Sequence, residues 1–186
     1  MAEEVLYSMI LLMMLGEGYM NQSLCKDCPR SCGIDRSCQT GFCGQYNSFR
    51  IARAAPHFWE EPAISGTNGS GTIFFSGCNL RCVFCQNAEI AADGLGEEIS
   101  DTMLAEIMFR LQARGVHNIN LVTPSHYIRQ LIPVLQSVRQ SGLRIPIVWN
   151  SSAYESVEML RRLEGLVDIY LPDLKYLHPE TAAKYS

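Results

Sequence analysis

The sequence predicts an α/β fold: about four βα units with parallel strands, preceded by a cysteine-rich metal-binding knuckle. Three observations carry this. From residue 72 onward, short β-type runs alternate with segments of helical periodicity. Five of the eight cysteines lie between Cys25 and Cys43, three lie between Cys78 and Cys85, and none follows. The long cysteine-free part is the regularly patterned part, which is unlike a disulfide scaffold, where bridges spread through a small fold. The chain of 186 residues is long enough for one domain with a core, and its 47% hydrophobic and 18% charged residues are ordinary for a globular protein. A net charge of −4 argues against a phosphate-backbone binder, so no nucleic-acid partner is expected.

Residues 1–24 read as an N-terminal extension. The apolar run Met9–Leu15 is too short to span a bilayer, and Glu3 and Glu4, with no Lys or Arg before Lys26, do not suit a signal peptide. A short buried or partner-facing helix is expected there, with Met20 as an alternative start. No membrane association is expected, and metal binding in a reducing cytoplasm is the expected use of the thiols. Residues 25–45, rich in Cys, Gly and Arg without periodicity, form the knuckle, and residues 46–71 form a connector.

Residues 72–186 hold the βα units. Thr72–Ser76 is a β-type run ending at the Gly77–Cys78 loop. Ser100 or Asp101 caps a helix with Met103, Leu104, Ile107, Met108 and Leu111 at helical spacing, ending near Gly115. Asn118–Val122 is the next strand. A helical pattern through Ile128, Leu131, Ile132, Leu135 and Val138 is interrupted by Pro133, which predicts a kink or a restart. Ile145–Trp149 is a third strand. Ser152–Glu155 matches a capping box opening a helix through Val157, Leu160 and Leu163, and Leu166–Leu171 is a fourth strand. Such alternation implies parallel strands with right-handed crossovers. Chemistry in such sheets sits beyond the carboxyl ends of strands: Cys78–Cys85, Thr123–His126, Asn150–Ser152 and Pro172–Lys175. The glycines at 66–71 precede a strand and lack the Lys-Ser/Thr of a phosphate loop.

Cys78-Asn-Leu-Arg-Cys82-Val-Phe-Cys85 is C-x₃-C-x₂-C after a strand. Thiolates suit iron clusters and zinc, but a closed zinc site wants four ligands, and this loop offers three with no His nearby. Three cysteines on a four-iron cube leave one iron open to a small molecule. The competing readings are a zinc site completed by a distant Cys, and three free thiols.

This loop resembles that of radical S-adenosylmethionine (SAM) proteins, specifically a branch related to pyruvate formate-lyase activating enzyme whose members carry an N-terminal cysteine knuckle. The resemblance runs from about Cys25 to the end of the chain. It rests on Ile51–Pro62, Gly69–Asn87, His117–Tyr127 and Val167–Tyr176 as well as the cysteine loop. It implies that residues 72–186 are a partial (βα) barrel, with a [4Fe–4S] cluster on Cys78, Cys82 and Cys85 and SAM bound at the open iron. It further implies reductive cleavage of SAM to a 5′-deoxyadenosyl radical that abstracts hydrogen. The implied partners are a one-electron donor of flavodoxin or ferredoxin type and a glycyl radical enzyme or other protein substrate. Phe84 matches the aromatic position beside the adenine. Asp173 and Lys175 match the Asp-Leu-Lys near the methionine carboxylate, though without the resemblance they read as a surface charge pair. Asn150 and Ser151 fall where relatives place polar groups on SAM. One departure stands out: Thr123-Pro124-Ser125 occupies the place of the relatives' Gly-Gly-Glu, leaving backbone carbonyls to make the amino-group contact. His126 beside it reads as a helix-start residue or a polar substrate contact.

Cys25-x₂-Cys28-x₃-Cys32 with Cys43 supplies four thiolates, enough for a closed second site holding zinc or another iron–sulfur cluster. Cys38 is a spare thiol or a swapped ligand. His57, His117 and His178 read as ordinary surface or core residues. Four strands fall short of the about six βα units that a radical SAM core implies, so a truncated, non-catalytic metal-binding fragment needing a partner chain is the alternative reading. A zinc-knuckle adaptor is a third.

Overall fold

The computed structural model describes residues 24–186. The apolar run Met9–Leu15 and the alternative start at Met20 lie outside the described residues. Residues 24–48 contain neither helix nor strand, in keeping with a knuckle. The first strand, β1 (Phe49–His57), lies inside the segment that sequence reasoning reads as a connector. A one-turn helix, α1 (Pro62–Ser65), follows, then β2 (Ser70–Phe75). The short α2 (Ala88–Ala91) and β3 (Glu97–Ile99) come after the cysteine loop. Next are α3 (Asp101–Ala113), β4 (Ile119–Val122), a 3₁₀ turn at Ser125–Tyr127 and α4 (Ile128–Gln140). The chain ends with β5 (Ile147–Ser151), α5 (Val157–Arg161), β6 (Ile169–Pro172) and α6 (Pro179–Tyr185).

One six-stranded sheet has the order β3-β1-β2-β4-β5-β6. The pairs β2–β4, β4–β5 and β5–β6 are parallel, as the alternation predicts. β1 pairs antiparallel with β2 and β3, with an irregularity between Ile51 and Arg53. β1 therefore runs opposite to every other strand, and the short β3, beyond it at the sheet edge, runs with the parallel set; the adjacent carboxyl ends that can build a common site are those of β2, β4, β5 and β6.

Side chains alternate across each strand. Ile73 and Phe75, Ile119 and Leu121, and Ile147 and Trp149 pack on one face of the sheet with Leu104, Met108 and Leu111 of α3 and Ile128, Leu131 and Leu135 of α4. Tyr127, fully buried, sits 5.3 Å from Phe49 and 5.5 Å from Phe75, ring centre to ring centre. The opposite face carries Thr72, Asn120 and Asn150, with Thr72 and Asn120 side by side on β2 and β4. The sheet thus separates an apolar helix-covered side from a side with polar groups.

Two local expectations are corrected. α4 runs unbroken through Pro133, so of the kink and the restart expected there the restart is ruled out. An interior proline costs about 3 kcal/mol. Six buried apolar side chains on α4, each stabilising by ~1.5–3 kcal/mol, outweigh that. The helix after β5 is capped by Ser156, whose hydroxyl accepts from Met159 N at 3.3 Å, and Ser152–Glu155 forms no capping box. Ala153 at φ +55° turns the chain away from helix, and Glu155 accepts instead from Trp149 Nε1 at 3.4 Å and from the Ser125 hydroxyl. Ser100, not Asp101, caps α3, accepting from Met103 N at 3.1 Å.

Candidate metal centre

The cysteine loop begins where β2 ends. Gly77 at φ +84° makes the turn into it, in a left-handed conformation that side chains disfavour. Outside glycine, four residues in the described part have positive φ. Arg81, Thr123 and Ala153 lie just beyond the ends of β2, β4 and β5, and Ser31 lies inside the knuckle. Backbone held in this region costs free energy and clusters where function constrains it.

Within the loop, Leu80 N donates to Cys78 Sγ at 3.4 Å, and Cys85 N to Cys82 O at 3.1 Å. Burial raises the Cys78 thiol above its ordinary value, while backbone N–H groups of Arg81 and Leu80 pull it down. Such donors favour a thiolate once a cation shares its charge. Among the described residues, no three His, Cys, Asp or Glu side chains stand close enough for a single metal ion. Three soft thiolate donors in one short loop suit an iron–sulfur cluster.

Beside the loop, the segments after β5 and β6 and helix α6 line an open cavity of about 400 Å³, which Arg30, Leu80, Ser152, Tyr154, Lys175 and Tyr176 reach and which none of the three loop cysteines lines. Lys175 lines it, whereas Phe84, Asn150, Ser151 and Asp173 do not. Phe84 is largely exposed and meets Tyr176 edge-on, 6.3 Å between ring centres. Asn150 Nδ2 donates to Glu60 Oε2 at 3.5 Å, and Ser151 Oγ accepts from Ala153 N at 3.2 Å. Lys175 pairs with Asp173, both partly exposed. The Thr123-Pro124-Ser125 stretch is held by Thr123 N donating to Asn150 O at 2.9 Å and by Ser125 bonding Glu155.

Several neighbours of the loop escaped sequence reasoning. Tyr176 stands beside Cys82; desolvation and that sulfur push its phenol up to about 12, so it remains a donor. Its hydroxyl donates to Tyr185 O at 3.2 Å. Arg30 donates to Asn79 O at 2.9 Å, and Asn79 Nδ2 to Tyr154 O at 2.7 Å. Apart from these, within β4, Asn120 is fully buried and leaves both amide atoms without a partner among the described residues. Only the placement of Tyr176 directly after Asp-Leu-Lys was visible in the sequence; the others depend on long-range contacts. His126 is a buried structural residue: Nε2 lies 2.8 Å from Ser76 O, to which it donates as the Nε2–H tautomer.

At the knuckle, Cys25, Cys28 and Cys43 are buried, and Cys32 is partly so. Burial, with the neighbouring Cys25, Cys43 and Cys32, pushes the Cys28 thiol up to about 11, and burial also raises Cys43. Cys38 is exposed and turns to Asp35 O, apart from the other four.

Residues 64–178 match the family described as 4Fe-4S single cluster domain. Cys78, Cys82 and Cys85 are the only cysteines in that span. An uncharacterized protein of Methanocaldococcus jannaschii is 31% identical over 172 residues, covering 87% of this chain and 48% of the relative, so the chain spans about half that relative's length. No solved structure matches. No helix among the described residues is long and apolar enough to cross a membrane.

Proposed function

We propose, for a chain that belongs to the 4Fe-4S single cluster domain family, that it is a radical SAM enzyme whose cluster sits on Cys78, Cys82 and Cys85. One observation carries the reading. A domain built for a single cluster contains three cysteines and no more, placed where β2 of a parallel set ends. Three thiolates leave one iron of a four-iron cube free for an exchangeable ligand. When bound, the cluster supplies the electron that splits SAM into methionine and a 5′-deoxyadenosyl radical, which takes hydrogen from the substrate.

The protein's own part is binding, orientation and exclusion of water. The cavity between the loop and the ends of β5 and β6 offers Lys175 for a carboxylate and Tyr176 as a neutral donor. In this reading Lys175 exchanges its Asp173 partner for the methionine carboxylate. Phe84, exposed and already against Tyr176, offers a ring face to adenine. Asn150 and Ser151 supply polar groups at the β5 end. The backbone carbonyls of Thr123–Ser125 stand in for the missing acidic residue near the SAM amino group. Asn120, with both amide atoms unpartnered on the polar side of the sheet, is a group that a substrate or SAM can satisfy. The reading extends to a flavodoxin- or ferredoxin-type electron donor and a protein substrate carrying the glycine from which hydrogen is taken, as in the activating enzymes.

Anaerobic reconstitution with iron and sulfide, followed by dithionite and SAM, tests this. Formation of 5′-deoxyadenosine is expected, and its loss in Cys82→Ala. A reconstituted, reduced chain that leaves SAM intact argues for a cluster-binding protein without this chemistry.

A further inference from the structure

The four knuckle cysteines lie outside the family match, at 25–43 against 64–178. All four are free and lie near one another, though not drawn in around a single ion in this structure: Cys28 is in electrostatic range of Cys25, Cys32 and Cys43, and Cys43 of Cys25 and Cys32. Gly41 stands between two of the sulfurs. A Cβ there would lie 3.4 Å from Cys32 Sγ and 3.6 Å from Cys43 Sγ, filling the space between them. Backbone N–H groups already point at sulfur. Phe42 N donates to Cys32 Sγ at 3.3 Å, and the backbone at Arg30 and Gln45 donates to Cys28 and Cys43. Cys25 closes the loop on itself, with Cys25 N to Ile34 O at 2.8 Å and Gly33 N to Cys25 O at 2.9 Å.

Apolar burial does not explain the fold of this segment. Between residues 24 and 48 the only buried apolar side chains are Cys25, Cys28 and Cys43. Alongside them Asp27 and Arg36 are buried, and their pairing offsets desolvation at best. A segment without helix, strand or apolar core needs a cross-link, and four gathered thiols are one only with a metal.

The segment also grips the cysteine loop. Arg30, between Cys28 and Cys32, donates to Asn79 O at 2.9 Å and Leu80 O at 3.4 Å, and lies 3.8 Å over the Phe42 ring. Cys43 O presses on Gly77, where a Cβ would come within 2.6 Å of it. Arg36 donates to His126 O and to Tyr46 O, tying the knuckle to the end of β4.

We propose that Cys25, Cys28, Cys32 and Cys43 hold a second, closed, thiolate-ligated metal centre, which fixes Arg30 and Cys43 against the 78–85 loop and so clamps the catalytic cluster's cradle. Zinc and an iron–sulfur cluster share this ligand chemistry. The full chain is reconstituted anaerobically with iron and sulfide, with and without zinc, and assayed for zinc, iron and acid-labile sulfide. Wild type is expected to hold more metal than the variant carrying Cys28→Ser and Cys43→Ser. A variant with Cys78→Ser, Cys82→Ser and Cys85→Ser is expected to retain that same increment. An increment of zinc without sulfide identifies zinc; iron with matching sulfide identifies a cluster. A triple variant devoid of bound metal overturns the centre, as does equal metal in wild type and the Cys28/Cys43 variant. The triple variant decides alone should the other fail to fold. The clamp is read by amide hydrogen exchange across Cys78–Cys85 in Arg30→Gln, which retains the thiols. Exchange is expected to quicken about tenfold with metal content unchanged; undiminished protection overturns the clamp.

Discussion

His126 is buried among groups that oppose its protonation. Desolvation comes first and the nearby Arg36 guanidinium second, and together they bring its imidazole down to about 3, against the smaller opposing pull of Ser76 O. The folded state therefore refuses a proton that the unfolded state accepts below pH about 6.5. The stabilisation is complete above that value and is lost as pH falls toward 3. Its size is on the order of a few kcal/mol across the window. Urea midpoints measured from pH 7 to pH 4 should fall for wild type and fall less steeply for His126→Asn, which keeps a side-chain donor for Ser76 O. Parallel slopes would place the acid sensitivity elsewhere. None of this burial was legible in the sequence, where a histidine after Pro124-Ser125 reads as a helix-start residue. The partners that decide the matter, Arg36 and Ser76, are 90 and 50 positions away. The three loop cysteines are the opposite case, since their spacing states their chemistry without any long-range contact.

Among the elements, β2, β4 and β5 were legible because parallel strands buried on both faces read as short apolar runs, and the half-exposed edge strand β6 because it too is a short apolar run. β1 was not. Phe49-Arg-Ile-Ala-Arg-Ala-Ala-Pro-His57 carries two arginines, three alanines and a proline, and its register slips at Ile51/Arg53, so alternation is blurred. β3, Glu97-Glu-Ile99, is too short and charged to announce itself, as suits an edge strand. The capping error after β5 has a local cause. Ser152 and Ser156 both stand in front of helix-like residues, and only the turn at Ala153 chooses between them. Ser156→Ala should cost about 1 kcal/mol, the usual price of a lost N-cap. Ser152→Ala should cost nothing measurable, because its buried hydroxyl has no partner among the described residues. Equal losses in thermal unfolding would restore the capping box at Ser152.

The whole sheet has a division of labour that follows from strand direction. β1, the one reversed strand, and the short edge strand β3 extend it on one side, while the adjacent β2, β4, β5 and β6 bring their carboxyl ends to a common edge. At that edge lie the cysteine loop, three non-glycine residues in left-handed backbone, and the cavity reaching Lys175 and Tyr176. The knuckle docks on the same edge through Arg30, Arg36 and Gly77. The parallel order was readable from alternation, and the site's position followed from it. The docking was not, because it is made by arginines to backbone carbonyls far along the chain, contacts that leave no periodic trace. The central claim is that Cys78, Cys82 and Cys85 hold a cluster with one iron open to SAM. Electron paramagnetic resonance of the reconstituted, dithionite-reduced chain, recorded with and without SAM, tests it most directly. The account predicts a reduced-cluster signal that shifts on adding SAM and is missing from the Cys82→Ala variant. A signal indifferent to SAM, or one that survives that substitution with its SAM response intact, would contradict it.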